Sequence, residues 1–400
     1  MTTNRPTPET TIQQAAGQCV KCGLCLPHCP TYVITENECE SPRGRIALAD
    51  ALAKQQIPLT KKVQTYLDHC LTCRACEAVC PAQVPYGELI DNTRALMAKT
   101  GKTTKVPRSL AIAIKYPTLF RVGAYFLHFC QRINLLKPFR FTRLVSLLPS
   151  SIKAKGWQNY YPAQISKQGH VALFTGCINQ MVDQATLHAA IRVLTACGYD
   201  VSVPPSQRCC GALYQHTGEA EPAQKLMQQN SQAFDTNKID AIITFTSGCA
   251  AVLQEYADKN FNRKVMDISH FLTIITWPNA VCLTPLPKKA VLHTPCTLKN
   301  VVKQADAPAK LLQKIPELQV VSLAANTTCC GAAGLYMIEH PAMADTLVEK
   351  IVNQICQINP DYLVTSNIGC ALHIHAALRK NNPAIKVIHP ISLLAEQLFK

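Results

Sequence analysis

The stretch "CVKCGLCLPHCP" at residues 19–30 returns, spacing for spacing, as "CLTCRACEAVCP" at 70–81. Both have the form C-x2-C-x2-C-x3-C-P. This is the spacing in which three thiolates wrap one [4Fe–4S] cube from a tight loop while the fourth, turned away ahead of the proline, serves the other cube. Each run alone is therefore one ligand short. The spacing assigns Cys19, Cys22, Cys25 and Cys80 to one cluster, and Cys70, Cys73, Cys76 and Cys29 to a second. Two clusters that exchange ligands must lie close together, as electron relay requires. Zinc sites favour four ligands in paired C-x2-C knuckles and fit the doubled pattern poorly. Twenty-one cysteines in 400 residues are too few for a disulfide-stapled scaffold, and they fall in groups, which favours metal or redox chemistry. Cys39 lies outside both runs and reads as an inert buried thiol. Arg43 and Arg45, in "SPRGRIALAD", either soften the negative charge of a thiolate-bound cluster or simply open a helix.

From residue 171 the pattern changes to short apolar runs alternating with amphipathic ones, "VALFTGC", "QATLHAAIRVLTACG" and "IDAIITFTSGC", which predicts an α/β layer with parallel strands. The plan repeats as "KKAVLHTPC", "LLQKIPELQVVSLA", "TTCCGAAG" and "DYLVTSNIGC". Cys177 maps to Cys296, Cys209 and Cys210 to Cys329 and Cys330, and Cys249 to Cys370, at offsets of 119, 120 and 121. These cysteines follow predicted strands or sit in Gly-containing turns, and the carboxyl ends of parallel strands are where sites assemble. Adjacent cysteines can both reach one centre only from a bend, which Gly211 and Gly331 permit. Four thiols per repeat are thus candidate ligands for a further cluster or metal ion, with a redox-active thiol pair as the other reading. His293, three residues before Cys296, and His373, three after Cys370, are candidate ligands or hydrogen-bond donors to them, or ordinary satisfied side chains.

The net charge is +15, and it is concentrated: no Asp or Glu occurs from Asn92 through Val182, where fourteen Lys and Arg do. Such a run suits an acidic partner, anionic lipid or nucleic acid, or is a solvated face. No nucleic-acid reading motif accompanies it, so no nucleic-acid partner is expected. The apolar stretches between the cations are too short to span a bilayer, leaving a membrane surface, a partner subunit or the chain's own clusters as what they cover. With no signal-peptide pattern, the chain is expected in the cytoplasm, where thiols stay reduced.

On these residues, together with "RCCGALYQH", "SGCAAVLQEY", "HTPCTLKN", "CCGAAGLY" and "SNIGC", the chain resembles the iron–sulfur subunits of bacterial glycolate oxidase, nearly end to end. The superfamily also holds lactate-oxidising complexes, the small subunit of anaerobic glycerol-3-phosphate dehydrogenase and heterodisulfide reductases. The resemblance implies an α+β multi-domain chain: a helical bacterial-type two-[4Fe–4S] ferredoxin domain at 1–100, a basic helical linker at 101–165, and α/β CCG cysteine-rich repeats at 166–285 and 286–400. It implies that partner FAD-binding subunits oxidise a 2-hydroxy acid while this subunit carries electrons toward the quinone pool, peripheral on the inner face of the membrane. No G-x-G-x-x-G fingerprint occurs, so no FAD is expected on this chain and no residue of it is expected to be catalytic. The equivalent subunit of a D-lactate or glycerol-3-phosphate dehydrogenase, or a thiol reductase of the heterodisulfide kind, is the alternative. Heterodisulfide reductases end each repeat in C-x2-C, supplying a fifth thiolate; here Val252 and His373 stand at those places, which argues against disulfide-reducing chemistry.

Overall fold

The computed structural model describes residues 7–101, 105–116, 118–133, 135–139, 142–149, 152, 155–324 and 329–399. Parts of the basic linker, at 102–104, 117, 134, 140–141, 150–151 and 153–154, lie outside the described residues. Contacts divide the chain into two compact units, one made of 1–107 with 211–224 and 331–347, the other of the remainder.

In the first unit, helices begin where the sequence supplies caps. The Thr7 side chain accepts from the Thr10 amide ahead of helix Pro8–Gly17, and the Ser41 side chain from the Gly44 amide ahead of Pro42–Ala53, both helices opening on a proline. With Tyr86–Lys99 they bury Ile12, Ile46, Ala49, Leu89, Ile90 and Met97 in one small core. Gly44 is required there, because a Cβ would run into the carbonyl oxygen of Glu38. Cys70 and Cys76 belong to this core, and Cys19, Cys25 and Cys80 pack against it.

The second unit holds two parallel sheets. The first is built from β1 (Tyr160–Tyr161), β2 (Gly169–Phe174), β3 (Tyr199–Ser202), β4 (Ala241–Thr244) and β5 (Val265–Asp267), in the order β1-β3-β2-β4-β5. The second is built from β6 (Lys289–His293), β7 (Gln319–Ser322), β8 (Tyr362–Thr365) and β9 (Lys386–Ile388), in the order β7-β6-β8-β9. Apart from the edge strand β1 the pairings are parallel, with Val171 opposite Val201 and Ala241 in one sheet, and Ala290 opposite Val320 and Tyr362 in the other. The two sheets repeat one topology, and a single apolar core runs through both, from Leu173 and Ile243 to Leu292 and Val364. Strands β2 and β4 are apolar almost throughout because both their faces are covered. The α+β multi-domain architecture is the one expected from sequence.

The basic segment forms helices Arg108–Lys115, Thr118–Arg132 and Arg143–Leu147. Among the described residues no single helix is long and apolar enough to cross a membrane.

Candidate functional site

Both cysteine loops of the first unit are wound the same way. Lys21 and Thr72, each two residues after the first cysteine, and Gly23 and Arg74, each one residue after the second, all have positive φ, between 48° and 85°. For Thr72 and Arg74 this conformation is strained. Left-handed residues alternating with ordinary ones turn successive amide N–H groups inward, the backbone concavity that receives anionic clusters and phosphates.

Around these loops lie two cavities. One, of about 450 Å³, is lined by Cys19, Cys22, Cys25 and Cys80 together with Arg43 and Ile46. The other, of about 300 Å³, is lined by Cys29, Cys70, Cys73 and Cys76 together with Thr31 and Arg45. The fourth cysteine of each run thus faces the cavity of the other run. Pro42, Cys76 and Tyr86 belong to both walls, so the cavities are neighbours. The first is thus lined by five cysteines, Cys76 among them, and the second by four, soft donors that suit iron–sulfur chemistry.

The surroundings of the second cavity are polar in a specific way. Arg45 is 1 % exposed and donates to Cys29 Sγ at 3.7 Å, to the Tyr66 carbonyl at 2.6 Å, to Thr31 Oγ1 at 3.0 Å and to Glu40 Oε2 at 2.5 Å. His69 Nδ1 lies 2.8 Å from the other Glu40 oxygen. Burial by itself would lower the Arg45 pKa, but Tyr86, Cys70, Cys29 and Glu40 outweigh it and hold the guanidinium firmly charged. The Tyr86 hydroxyl donates to Cys70 Sγ at 3.6 Å, and Arg94 donates to the Cys70 carbonyl at 2.6 Å. Burial, then the neighbouring thiols Cys73, Cys70, Cys29 and Cys25, push Cys76 well above the usual thiol range. A cationic cluster core would reverse that balance, since it favours the thiolate.

The sequence weighed Arg43 and Arg45 alike. The structure separates them: Arg43 lies at the surface against Glu38 at 2.7 Å and the Lys21 carbonyl at 3.1 Å, whereas Arg45 reaches a cysteine sulfur. Cys39 lines neither cavity and, contrary to expectation, is half-buried; its short turn, Glu38–Glu40, turns Glu40 inward instead. Tyr86, Glu40 and Arg94 were not anticipated. Nothing in their local sequence marks them, because their sulfur and carbonyl partners lie 11 to 24 residues away.

In the second unit, the cysteines gather at the carboxyl ends of strands. Cys177 opens helix Cys177–Val182 after β2, and Cys249 sits in Ser247–Gln254 after β4. Cys296 opens Cys296–Asn300 after β6, and Cys370 sits in Ile368–Asn381 after β8. Gly211 and Gly331 follow the paired cysteines with φ of 91° and 80°, the bend the sequence called for. Cys177 and Cys209 sulfurs stand 3.4 Å apart, Cys296 and Cys329 3.8 Å, and Cys330 and Cys370 3.0 Å. The hydrogen bond that Cys177 donates to Cys209, then burial, raises the Cys177 thiol, while contacts with Cys209 and Cys249, then burial, raise Cys210. In the first repeat the carbonyls of the bend accept from Asn230 at 3.0 Å and Tyr256 at 2.9 Å. In the second, His373 Nδ1 donates to the Cys330 carbonyl at 2.8 Å, so this histidine supports the bend. His293 is 2 % exposed, and burial lowers its pKa to about 4. Its ring nitrogen and the Cys330 and Cys370 sulfurs all lie within 4.8 Å of one another.

A 4Fe-4S dicluster domain model matches residues 15–84, and a cysteine-rich domain model matches 171–254 and 290–375. The chain is 30% identical to the probable glycolate oxidase iron-sulfur subunit of Bacillus subtilis (strain 168), over 94% of this chain and 93% of that protein. It is 29% identical to the glycolate oxidase iron-sulfur subunit of Escherichia coli (strain K12), over 96% and 94%. Against one of the subunits of the fumarate reductase (CoM/CoB) of Methanothermobacter marburgensis it is 27% identical, over 94% and 71%. With a cluster-binding N-terminal module, two cysteine-rich repeats and relatives matched end to end, the chain belongs to the family of glycolate oxidase iron–sulfur subunits, components of multi-subunit oxidoreductases.

Proposed function

We propose that this chain is the electron-transfer subunit of a glycolate dehydrogenase. It takes electrons from partner FAD-binding subunits, which oxidise glycolate to glyoxylate, and passes them toward the membrane quinone pool. Cys19, Cys22, Cys25 and Cys80 hold one [4Fe–4S] cluster; Cys70, Cys73, Cys76 and Cys29 hold the other. The observation that carries the reading is the pair of cysteine-lined cavities sharing Pro42, Cys76 and Tyr86 as a common wall. Clusters supply one-electron steps to a flavin that gives up two electrons, so two neighbours can take them singly. The chain's own residues then set where the electron rests. Arg45 and the Tyr86 hydroxyl direct positive charge and a hydrogen bond at Cys29 and Cys70, which favours the reduced state of the second cluster. Cys177, Cys209, Cys210 and Cys249 in one repeat, and Cys296, Cys329, Cys330 and Cys370 in the other, are sites for a further iron–sulfur or metal centre, and the chain works from the cytoplasm at the membrane's inner face.

The test is quinone reduction by the co-purified complex supplied with glycolate, D-lactate or glycerol 3-phosphate. Glycolate-dependent reduction is expected, abolished by Cys73→Ser with the repeats still folded. Reduction driven only by D-lactate or glycerol 3-phosphate would move the chain to a sister complex. Failure with all three, together with heterodisulfide reduction by the isolated chain, would replace the relay by thiol chemistry.

A further inference from the structure

The two cysteine-rich repeats are not chemically equivalent. At the 119-residue offset that pairs Cys177 with Cys296, the last residue of β2 is Phe174 and that of β6 is His293. Phe174 packs near Phe234 as apolar filling. His293 instead turns its ring toward the thiols, with Nδ1 3.0 Å from Thr365 Oγ1. With Nδ1 engaged by Thr365, Nε2 is the nitrogen left for a metal, the usual arrangement around ligating histidines.

The spacing of the donors limits what they can hold. Two ligands on one tetrahedral zinc, each roughly 2.3 Å from it, lie about 3.8 Å apart. In a four-iron cube each thiolate takes a different iron, so the sulfurs stand at separate corners, farther apart. The His293 nitrogen and the Cys330 and Cys370 sulfurs, all within 4.8 Å of one another and the two sulfurs 3.0 Å apart, are too close for separate corners of a cube and suit one shared ion. The ferredoxin cysteines, by contrast, are arrayed around the walls of two neighbouring cavities.

On the reading that the repeat cysteines form a metal centre, we infer that the second repeat holds one borderline-soft divalent cation of the zinc class. Its protein ligands are His293, Cys330 and Cys370. Zinc has no redox states to offer, so this centre ties the end of β6 to the start of the helix after β8 and carries no electron. The electron path then stays in the ferredoxin module.

The experiment is metal analysis of the anaerobically purified full-length chain, as wild type, His293→Phe and His293→Cys. Phe copies the first repeat, and Cys returns a ligand. Zinc is expected beside iron in the wild type, with one equivalent lost in His293→Phe at unchanged iron and regained in His293→Cys. Full zinc retention in His293→Phe overturns the role of His293 and leaves the metal-centre reading standing. Iron in place of zinc overturns the single-ion inference alone, whereas no metal beyond the ferredoxin clusters overturns both. Should His293→Phe fail to fold, X-ray absorption at the wild-type zinc edge decides: a shell containing nitrogen is expected, and sulfur alone contradicts the inference.

Discussion

At the scale of single residues, the most informative feature is that each cysteine run lends its last thiol to the other run's cavity. Variants should therefore pair across the sequence. Cys80→Ser should perturb the same paramagnetic signal as Cys22→Ser, and Cys29→Ser the same signal as Cys73→Ser; pairing by run instead would mean that each loop holds its own cluster. A second expectation concerns Tyr86, whose hydroxyl donates to Cys70 Sγ. Tyr86→Phe removes one hydrogen bond at a cost of about 1 kcal/mol in stability. Hydrogen bonds to sulfur are one of the protein's levers on potential, so the midpoint of the second cluster should fall while that of the first stays put. A redox titration followed by paramagnetic resonance reads both. Equal shifts in the two clusters would show that Tyr86, which lines both cavities, acts on them alike.

At the scale of elements, the turns and caps explain both what was legible and what was not. The cysteine loops could be read because covalent spacing fixes which thiols can share a centre, and the strand ends of the repeats because apolar runs stopped at cysteine and glycine. Arg45 could not be ranked above Arg43, because its value comes from the burial of one face of helix Pro42–Ala53 against Thr31 and Cys29. His293 and His373 were equally open in sequence; tertiary placement turns one toward sulfur and the other toward a carbonyl. A further consequence belongs to the helix after β5. Asp267 caps Ile268–Ile274 by accepting from the Ser269 amide at 2.8 Å, yet it is fully buried and its second oxygen has no hydrogen-bond partner among the described residues. Burial raises its pKa to about 6. The raised value means that stability is greatest with the group neutral and falls as pH climbs from the ordinary carboxylate range through about 6. Asp267→Asn keeps the cap without the charge. Relative to wild type, the variant should gain about 1.4 kcal/mol between pH 5 and pH 8. Denaturant unfolding at the two pH values checks this, and a pH-independent difference would contradict it.

At the scale of the whole molecule, sequence periodicity gave the order of modules, but it could not show that 211–224 and 331–347, each just after a CCG bend, belong to the compact unit of the ferredoxin loops. That grouping rests on packing between segments more than a hundred residues apart. Within this unit Gln215 donates to Asp91 at 2.6 Å, the Val106 amide to Glu219 at 2.8 Å, and the His340 and His69 rings meet edge-on at 4.7 Å. Short-range patterns carry no trace of such pairs. The cysteine loops and strand ends were therefore legible from sequence, and the residues that pack around them were not. The measurement that tests the account most directly is paramagnetic resonance on the anaerobically purified complex before and after glycolate is added. The account predicts that glycolate alone reduces the clusters and that the signals are broadened by interaction between two near neighbours. Clusters that respond to a chemical reductant but stay silent with glycolate would contradict it.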